Sequence, residues 1–265
     1  MASSFSASDR TPLPLAGRTA IVTGASRGIG RGIAAHLSSL GADLILGYSS
    51  NSAQADLLAA DLNSSSSSHV RAVPVKADVS DPDGVRTLFD RAESSFGRPV
   101  HILVACAGVL DPSYPSIADT DLEAWDSTFA VNARGAFLCC REAARRLERG
   151  GGGRIVAVTS TLVETAMPGY GAYTASKAAV EAMVRTLAKE LKGTRITANC
   201  VAPGAVATDM FFAGKSEETV KKIAGGCAMG RIGETKDIAP VVGLVCKDEG
   251  EWVNGQVIRV NGGII

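Results

Sequence analysis

Tyr173 and Lys177 stand four residues apart at the end of the segment S-T-L-V-E-T-A-M-P-G-Y-G-A-Y-T-A-S-K, which begins at Ser160. On a helix that spacing puts both side chains on one face, one turn apart. An ammonium beside a phenol favours the phenolate, so Lys177 is expected to lower the Tyr173 pKa from its reference of about 10. A tyrosine tuned this way exchanges a proton with an alcohol or a carbonyl near neutral pH. Ser160 follows an apolar, β-like run, where its hydroxyl could hold the same oxygen. A lone Y-x-x-x-K is more often a surface pair on a helix. Its weight therefore rests on what the rest of the chain builds around it.

Thr19 to Thr23 reads as a short buried strand and leads into Gly24-A-S-R-G-I-Gly30. Ile29, Ile33, Leu37 and Leu40 then recur at helical spacing. Strand, glycine turn and helix are the setting in which Gly24, Ser26, Arg27, Gly28, Ile29 and Gly30 would cradle a pyrophosphate at a helix N-terminus. A bare strand-to-helix turn is the alternative. The next strand, Asp43 to Leu46, runs into Gly47-Tyr48-Ser49-Ser50-Asn51. An acidic residue there would accept from a free ribose 2′-hydroxyl, and none is present. Ser49, Ser50 and Asn51 could instead donate to a 2′-phosphate, and Arg27 could reach it as a fixed cation. These residues favour NADP over NAD, unless Arg27 is a solvated loop residue.

Asn63 to Ser68 reads as a flexible polar loop. Val70 to Val75 is the third strand, leading to Asp78-Val79, where a carboxylate could accept from an adenine amino group. Asp83 to Phe96 is an amphipathic helix. Val100 to Ala105 is the fourth strand and runs into Cys106-Ala107-Gly108, small enough for a cofactor to lie against the backbone. Leu122 to Leu147 reads as one long helix with Trp125, Phe129, Asn132, Ala136, Phe137 and Cys140 along one stripe. A buried asparagine in that stripe must be hydrogen-bonded, for structure or to hold a water. Arg154 to Thr159 and Ile196 to Val201 are strands, and Ala172 to Leu191 is the helix bearing Tyr173 and Lys177. Pro203-Gly204 breaks the chain. The glycines and aromatics beyond it point to a mobile lid over residues 205–230. Asp237 to Cys246 is a helix and Gln256 to Val260 the last strand.

This alternation predicts an α/β fold: one doubly wound parallel sheet of about seven strands with helices on both faces, spanning residues 15–265 after a flexible segment over 1–14. Ligands of such folds bind at the carboxyl ends of the strands. The Gly24 loop, Asp78, Gly108, Ser160 and Pro203 all lie just past strand ends.

The 265 residues carry 27 basic and 27 acidic side chains, a balance that gives no footprint for nucleic acid. Six scattered cysteines without a C-x-x-C read as buried thiols of a reducing compartment. His36, His69 and His101 are isolated, with no metal-ligand spacing, and no membrane span is expected. The N-terminal segment has no apolar h-region. The expected location is cytoplasmic, with a plastid as the alternative.

Together the motifs resemble the short-chain dehydrogenase/reductase family across roughly Leu15 to Gly263. They are T-G-A-S-R-G-I-G at Thr23, D-V at Asp78, A-G at Ala107, N-A-R-G-A-F at Asn132, Ser160, Y-T-A-S-K at Tyr173, P-G-A-V-A-T at Pro203 and V-N-G-G at Val260. The arginine before the second glycine resembles the NADP-preferring branch. Plant NADPH-dependent aldehyde reductases and β-ketoacyl carrier-protein reductases are the nearest in look. The chain departs from the family at Ala105-Cys106-Ala107-Gly108, where an asparagine usually braces the sheet.

The resemblance implies hydride transfer from NADPH to an aldehyde or ketone. Tyr173 would be proton donor, Ser160 would hold the substrate oxygen, Lys177 would tune Tyr173 and hold the nicotinamide ribose, and Asn132 would hold a water that relays protons. Pro203, Gly204, Val206 and Thr208 would meet the nicotinamide end. Leu162, Val163, Met167, Pro168, Tyr170, Phe211 and Phe212 are the expected pocket walls, suited to an apolar, even aromatic, substrate. Three other readings remain open. One is a carrier-protein ketoreductase using Arg134, Arg141, Arg145, Arg146 and Arg149 as a docking patch; another is an alcohol dehydrogenase of specialised metabolism. The third is a non-catalytic NADP-binding subunit of a hetero-oligomer. The family also implies a homo-oligomer, a tetramer or dimer, built on the long helices with Ala136, Ala143, Ala144, Ala175 and Ala179 as candidate contacts.

Overall fold

The computed structural model describes residues 12–65 and 70–265. Most of the expected N-terminal segment, His69 and the last residues of the serine run lie outside the described residues. Seven strands form one parallel sheet in the order β3-β2-β1-β4-β5-β6-β7. They are β1 (Thr19–Thr23), β2 (Asp43–Tyr48), β3 (Ala72–Lys76), β4 (Ile102–Ala105), β5 (Arg154–Val158), β6 (Thr197–Pro203) and β7 (Val257–Val260). Strands covered on both faces run largely apolar, and β1, β4, β5 and β6 are buried at every residue.

The helices are α1 (Gly28–Ser39), α2 (Ser52–Ser65), α3 (Pro82–Phe96), α4 (Leu122–Phe129), α5 (Ala136–Arg146), α6 (Leu162–Thr165), α7 (Gly171–Glu190), α8 (Asp209–Phe212), α9 (Glu217–Gly225) and α10 (Thr235–Cys246). Two cores lie on opposite faces of the sheet. One joins it to α3, α5 and α7 through residues such as Phe89, Cys139 and Val184. The other joins it to α1, α2 and α10 through Ile33, Leu58 and Val242. Both faces are thus covered, as the alternating pattern predicts. Among the described residues no helix is long and apolar enough to cross a membrane.

Three expectations need correction. Asn63 is not in a loop: it lies in the last turn of α2, and its amide donates to the Ala72 carbonyl at 3.1 Å and accepts from the Ala72 N–H at 2.8 Å. The helix expected from Leu122 to Leu147 is interrupted by a π-helical turn over Ala130–Gly135. Such a turn inserts a residue and rotates the next helical turns about the axis. Thr128, Asn132, Gly135 and Cys139 therefore share the buried face, while Phe137 is 45% exposed. The missing family asparagine leaves no loose end either. The Thr23 hydroxyl accepts from the N–H groups of Cys106 and Ala107 at 3.0 and 3.1 Å, tying the end of β4 to β1.

The cysteines and His101 suit structural roles. Four of the six free cysteines are buried and two are half-buried; burial pushes the Cys139 thiol up to about 12. His101 accepts the Thr19 N–H at 3.3 Å, and burial lowers its pKa.

Candidate active site

The strand order reverses between β1 and β4, so the segments leaving their carboxyl ends diverge and open a crevice. The glycine loop leaves the end of β1. A Cβ on Gly24 would lie 2.9 Å from the Ala107 Cα, so these two backbones meet with no room for a side chain. A Cβ on Gly30 would press into the Gly24 carbonyl oxygen, which fixes how tightly the loop turns into α1. Arg27 occupies the N-cap of α1 without a side-chain hydrogen bond to it, and the first turn holds no acid. Those free N–H groups, with the helix dipole, form an anion site. Arg27 is exposed and pairs with no carboxylate among the described residues.

Further along the crevice, Ser49 and Ser50 are exposed between β2 and α2. The Asn51 side-chain oxygen is taken up by the Gln54 N–H at 3.2 Å, leaving its amide free to donate. Arg31, not foreseen from sequence, lies beside this stretch and reaches Gln54 at 3.2 Å. The Asp78 carboxylate is held by the Ser80 N–H and hydroxyl at 2.9 and 2.8 Å. Val79 is buried against Gly135 of the π turn. At the other end, Gly204 donates to the Val260 carbonyl at 3.0 Å, and Val206 is buried. Thr208 caps α8, and its methyl would stand 3.3 Å from a Cβ on Gly28. The start of the expected lid therefore lies over the glycine loop.

Tyr173, hydrogen-bonded to Ser160, lies one turn from Lys177, and Lys177 and Asn132 meet beside Gly108. A Cβ there would come within 3.3 Å of the Asn132 Oδ1 and 3.5 Å of the Lys177 Nζ. Asn132 is 1% exposed. Its Oδ1 accepts from the Val109 N–H at 2.8 Å, and its Nδ2 donates to the Val109 carbonyl at 2.9 Å and to Ser176 Oγ at 3.1 Å. Ser176 in turn donates to the Tyr173 carbonyl at 2.7 Å. Each buried polar group left unpaired would cost about 1–3 kcal/mol, so this network fixes the first turn of α7 firmly.

The Lys177 Nζ donates to the Val158 carbonyl at 2.8 Å and lies 5.7 Å from the centre of the Tyr173 ring. The expected lowering of the Tyr173 pKa is not what this arrangement gives. Burial pushes the phenol up to about 12, against a hydrogen bond with Ser160 that pulls the other way. Burial also lowers Lys177, so the cation expected to stabilise a phenolate is itself disfavoured.

A cleft beside the half-buried Tyr173 is lined by Tyr170, Leu110, Asp111, Pro115 and Thr128, with a free volume of about 20 Å³, room for roughly one water. Of the seven expected pocket walls, only Tyr170 lines it. Phe211 is not part of its lining, and its ring centre lies 5.0 Å from the Lys215 Nζ. Leu162, Val163, Met167, Pro168 and Phe212 lie outside this cleft. The segment after β4 supplies Leu110, Asp111 and Pro115, none of them expected from the sequence. Its length before α4 and its proline content are the signals that could have found it.

Over residues 24–265 the chain matches the family described as Enoyl-(Acyl carrier protein) reductase. It is 57% identical over 269 residues to the "NADPH-dependent aldehyde reductase-like protein, chloroplastic" of Arabidopsis thaliana, covering 99% of this chain and 100% of that one. It is 58% identical over 252 residues to a "Short-chain type dehydrogenase/reductase" of Picea abies, covering 94% and 93%. Among solved structures, a short chain dehydrogenase from Burkholderia cenocepacia in complex with NADP superposes with a TM-score of 0.86 at 35% identity, covering 95% of this chain and 99% of that one. With the crevice, the glycine loop and relatives this close over nearly its whole length, the chain belongs to the short-chain dehydrogenase/reductase family.

Proposed function

We propose that the protein is an NADPH-dependent reductase of aldehydes or ketones, with Tyr173 as proton donor. The observation that carries this reading is the approach of Lys177 and Asn132 to Gly108, with Tyr173 one turn from Lys177 on α7, beside the glycine crevice. The residues fit the cofactor: a helix N-terminus without an acid or a side-chain cap awaits a pyrophosphate, and Arg27 stands above it with its charge uncompensated by any described carboxylate. Gly24, Ser26, Gly28, Ile29 and Gly30 would hold the pyrophosphate, and Arg27 with Ser49, Ser50 and Asn51 the 2′-phosphate. Tyr48, Asp78 and Val79 would flank the adenosine, and Ala107 and Gly108 would back the ribose. Pro203, Gly204, Val206 and Thr208 would meet the nicotinamide, whose C4 supplies the hydride when the cofactor is bound. The Arabidopsis and Burkholderia proteins, named for NADPH and NADP, support the same cofactor.

Tyr173 delivers a proton to the oxygen that becomes negative as the carbonyl is reduced. Its high pKa suits this direction, because the phenol is protonated at neutral pH. Ser160, buried and hydrogen-bonded to the Tyr173 phenol, would donate to the same oxygen. Lys177 would hold the ribose and, in its protonated form, steady the phenolate left when the proton has gone. Both Asn132 Nδ2 protons are already used, so a relay water would take its place at a remaining lone pair of Oδ1 or at the backbone of the π turn.

The substrate class is that of the plant aldehyde reductases. The carrier-protein alternative loses support because Arg146 is bound to Asp90, Glu93 and Glu142, and Arg141 stacks on Phe137. A homo-oligomer would use the face between α5 and α7, where Phe137, Ala179 and Met183 line a shallow groove. Ala143 is fully buried in the core and takes no part. The Arabidopsis relative is named chloroplastic, which supports a plastid over the cytoplasm.

The decisive experiment is NADPH consumption by the purified protein against aldehydes, cyclic ketones and β-ketoacyl thioesters. Turnover with aldehydes is expected; exclusive turnover of the thioesters would overturn the reading. Arg27→Ala is expected to weaken NADP⁺ binding by about tenfold, the loss of roughly one charge-assisted hydrogen bond, with NAD⁺ binding unchanged. Fluorescence titration of both dinucleotides checks it.

A further inference from the structure

At the mouth of the cleft lies a cation that the reaction does not use. Lys215 stands just past α8, and its Nζ bonds to the Tyr114 hydroxyl. The same ammonium lies 4.3 Å from the centre of the Tyr114 ring, 5.7 Å from that of Tyr170 and 5.0 Å from that of Phe211. Its position is set by backbone as well as by side chains. Tyr114 and Gly214 both hold left-handed conformations, at φ 52° and 69°. A Cβ on Gly214 would strike the Pro112 carbonyl, so the two loops touch there. The Tyr114 hydroxyl also donates to the Ala213 carbonyl at 2.7 Å.

Aromatic faces and phenol oxygens hold an ammonium without neutralising it. Among the described residues no carboxylate is paired with Lys215. The nearest acid on the cleft wall is Asp111, whose Oδ1 is turned onto the Ser113 N–H and hydroxyl at 2.9 and 2.6 Å. A half-buried ammonium with no ion-pair partner among the described residues is therefore left at this rim, while the Asp111 carboxylate stays ionised on the cleft wall. The Tyr170 ring packs on that of Tyr114, with centres 5.0 Å apart. Tyr170 stands three residues before Tyr173, close enough to disfavour ionisation of that phenol.

We propose that Lys215 reads substrate charge, so that the enzyme favours aldehydes bearing a carboxylate remote from the carbonyl. The proposal rests on the reductase reading above. The aldehyde carbon would face Tyr173 and the carboxylate would accept from the Lys215 Nζ beside the three rings, the cleft widening from its one-water volume to admit the substrate. Charge-assisted hydrogen bonds of this kind gain strength where water is partly excluded.

The test compares para-carboxybenzaldehyde with para-methylbenzaldehyde, which have similar shapes and differ in charge. The wild-type protein is expected to favour the acid in kcat/KM. Lys215→Met keeps the apolar stem and is expected to cut that preference by about tenfold, chiefly through KM of the acid. Lys215→Arg is expected to keep most of it, and added salt to narrow it in the wild type. Thermal melts check that the variants fold, with Lys215→Gln as a second neutral replacement. Equal loss on both aldehydes would reduce Lys215 to a loop latch and overturn the proposal, as would an unchanged ratio. Binding of para-carboxybenzyl and para-methylbenzyl alcohols to the NADP⁺ complex reads the same charge without turnover, and equal affinities there overturn it too. A protein that reduces neither aldehyde but prefers the acidic alcohol would instead count against the reductase reading alone.

Discussion

Replacing Tyr173 with Phe is expected to lower kcat for NADPH-dependent aldehyde reduction by about 10²–10⁴-fold, the usual contribution of a positioned general acid. The change removes one oxygen from a half-buried ring, and the Asn132–Ser176 contacts that fix this turn of α7 end on the Tyr173 backbone. Cofactor affinity and melting temperature should therefore stay close to wild type. Stopped-flow single turnovers and an NADPH titration separate the two effects. The pH profile carries a second arm. A phenol whose pKa is raised is in its acid form below that value and loses it as pH climbs through it. Burial pushes Tyr173 up to about 12, so the reduction rate should be level across neutral pH and fall only in strong alkali. Survival of half the wild-type rate in Tyr173→Phe would remove Tyr173 from the mechanism.

Gly30→Ala is expected to weaken NADP⁺ binding at least about tenfold and to destabilise the fold by about 1–3 kcal/mol, the range for overpacking. By propensity alone alanine would stabilise a helix by about 1 kcal/mol relative to glycine. Here sterics win, because the new methyl would overlap the Gly24 carbonyl oxygen and backbone cannot rotate away as a side chain would. Gly225→Ala is the matched control. Gly225 lies at the end of α9, and a Cβ there meets nothing within 4 Å. That variant should be neutral or slightly stabilised. Melting curves and NADP⁺ titrations of both check the contrast; equal behaviour would mean that the tight turn does not form.

The sheet and the glycine loop were legible because parallel strands buried on both faces leave continuous apolar runs and the Gly24 turn carries a fixed spacing. The polar groups around Gly108 were legible as residue types. Their electrostatics were not: spacing alone has Lys177 lowering the Tyr173 pKa, and burial reverses the sign. Periodicity also passes over the π turn at Asn132, since one inserted residue shifts the stripe without changing its composition. The pocket mouth was least visible. Tyr114 and Ala213 are 99 positions apart, and no local pattern announces a bond between two loops.

The two hydrogen-bonded groups that flank the cleft are nearly independent circuits. One runs from Val109 through Asn132 and Ser176 to the Tyr173 backbone, inside the core. The other ties Tyr114 to Ala213 and Lys215 at the rim. Tyr170 is where the second comes nearest the first. A lineage, or a directed library, can therefore exchange residues 110–115 and 210–215 to retarget the enzyme. The core circuit stays out of reach of those changes, because neither of these rim bonds runs into it.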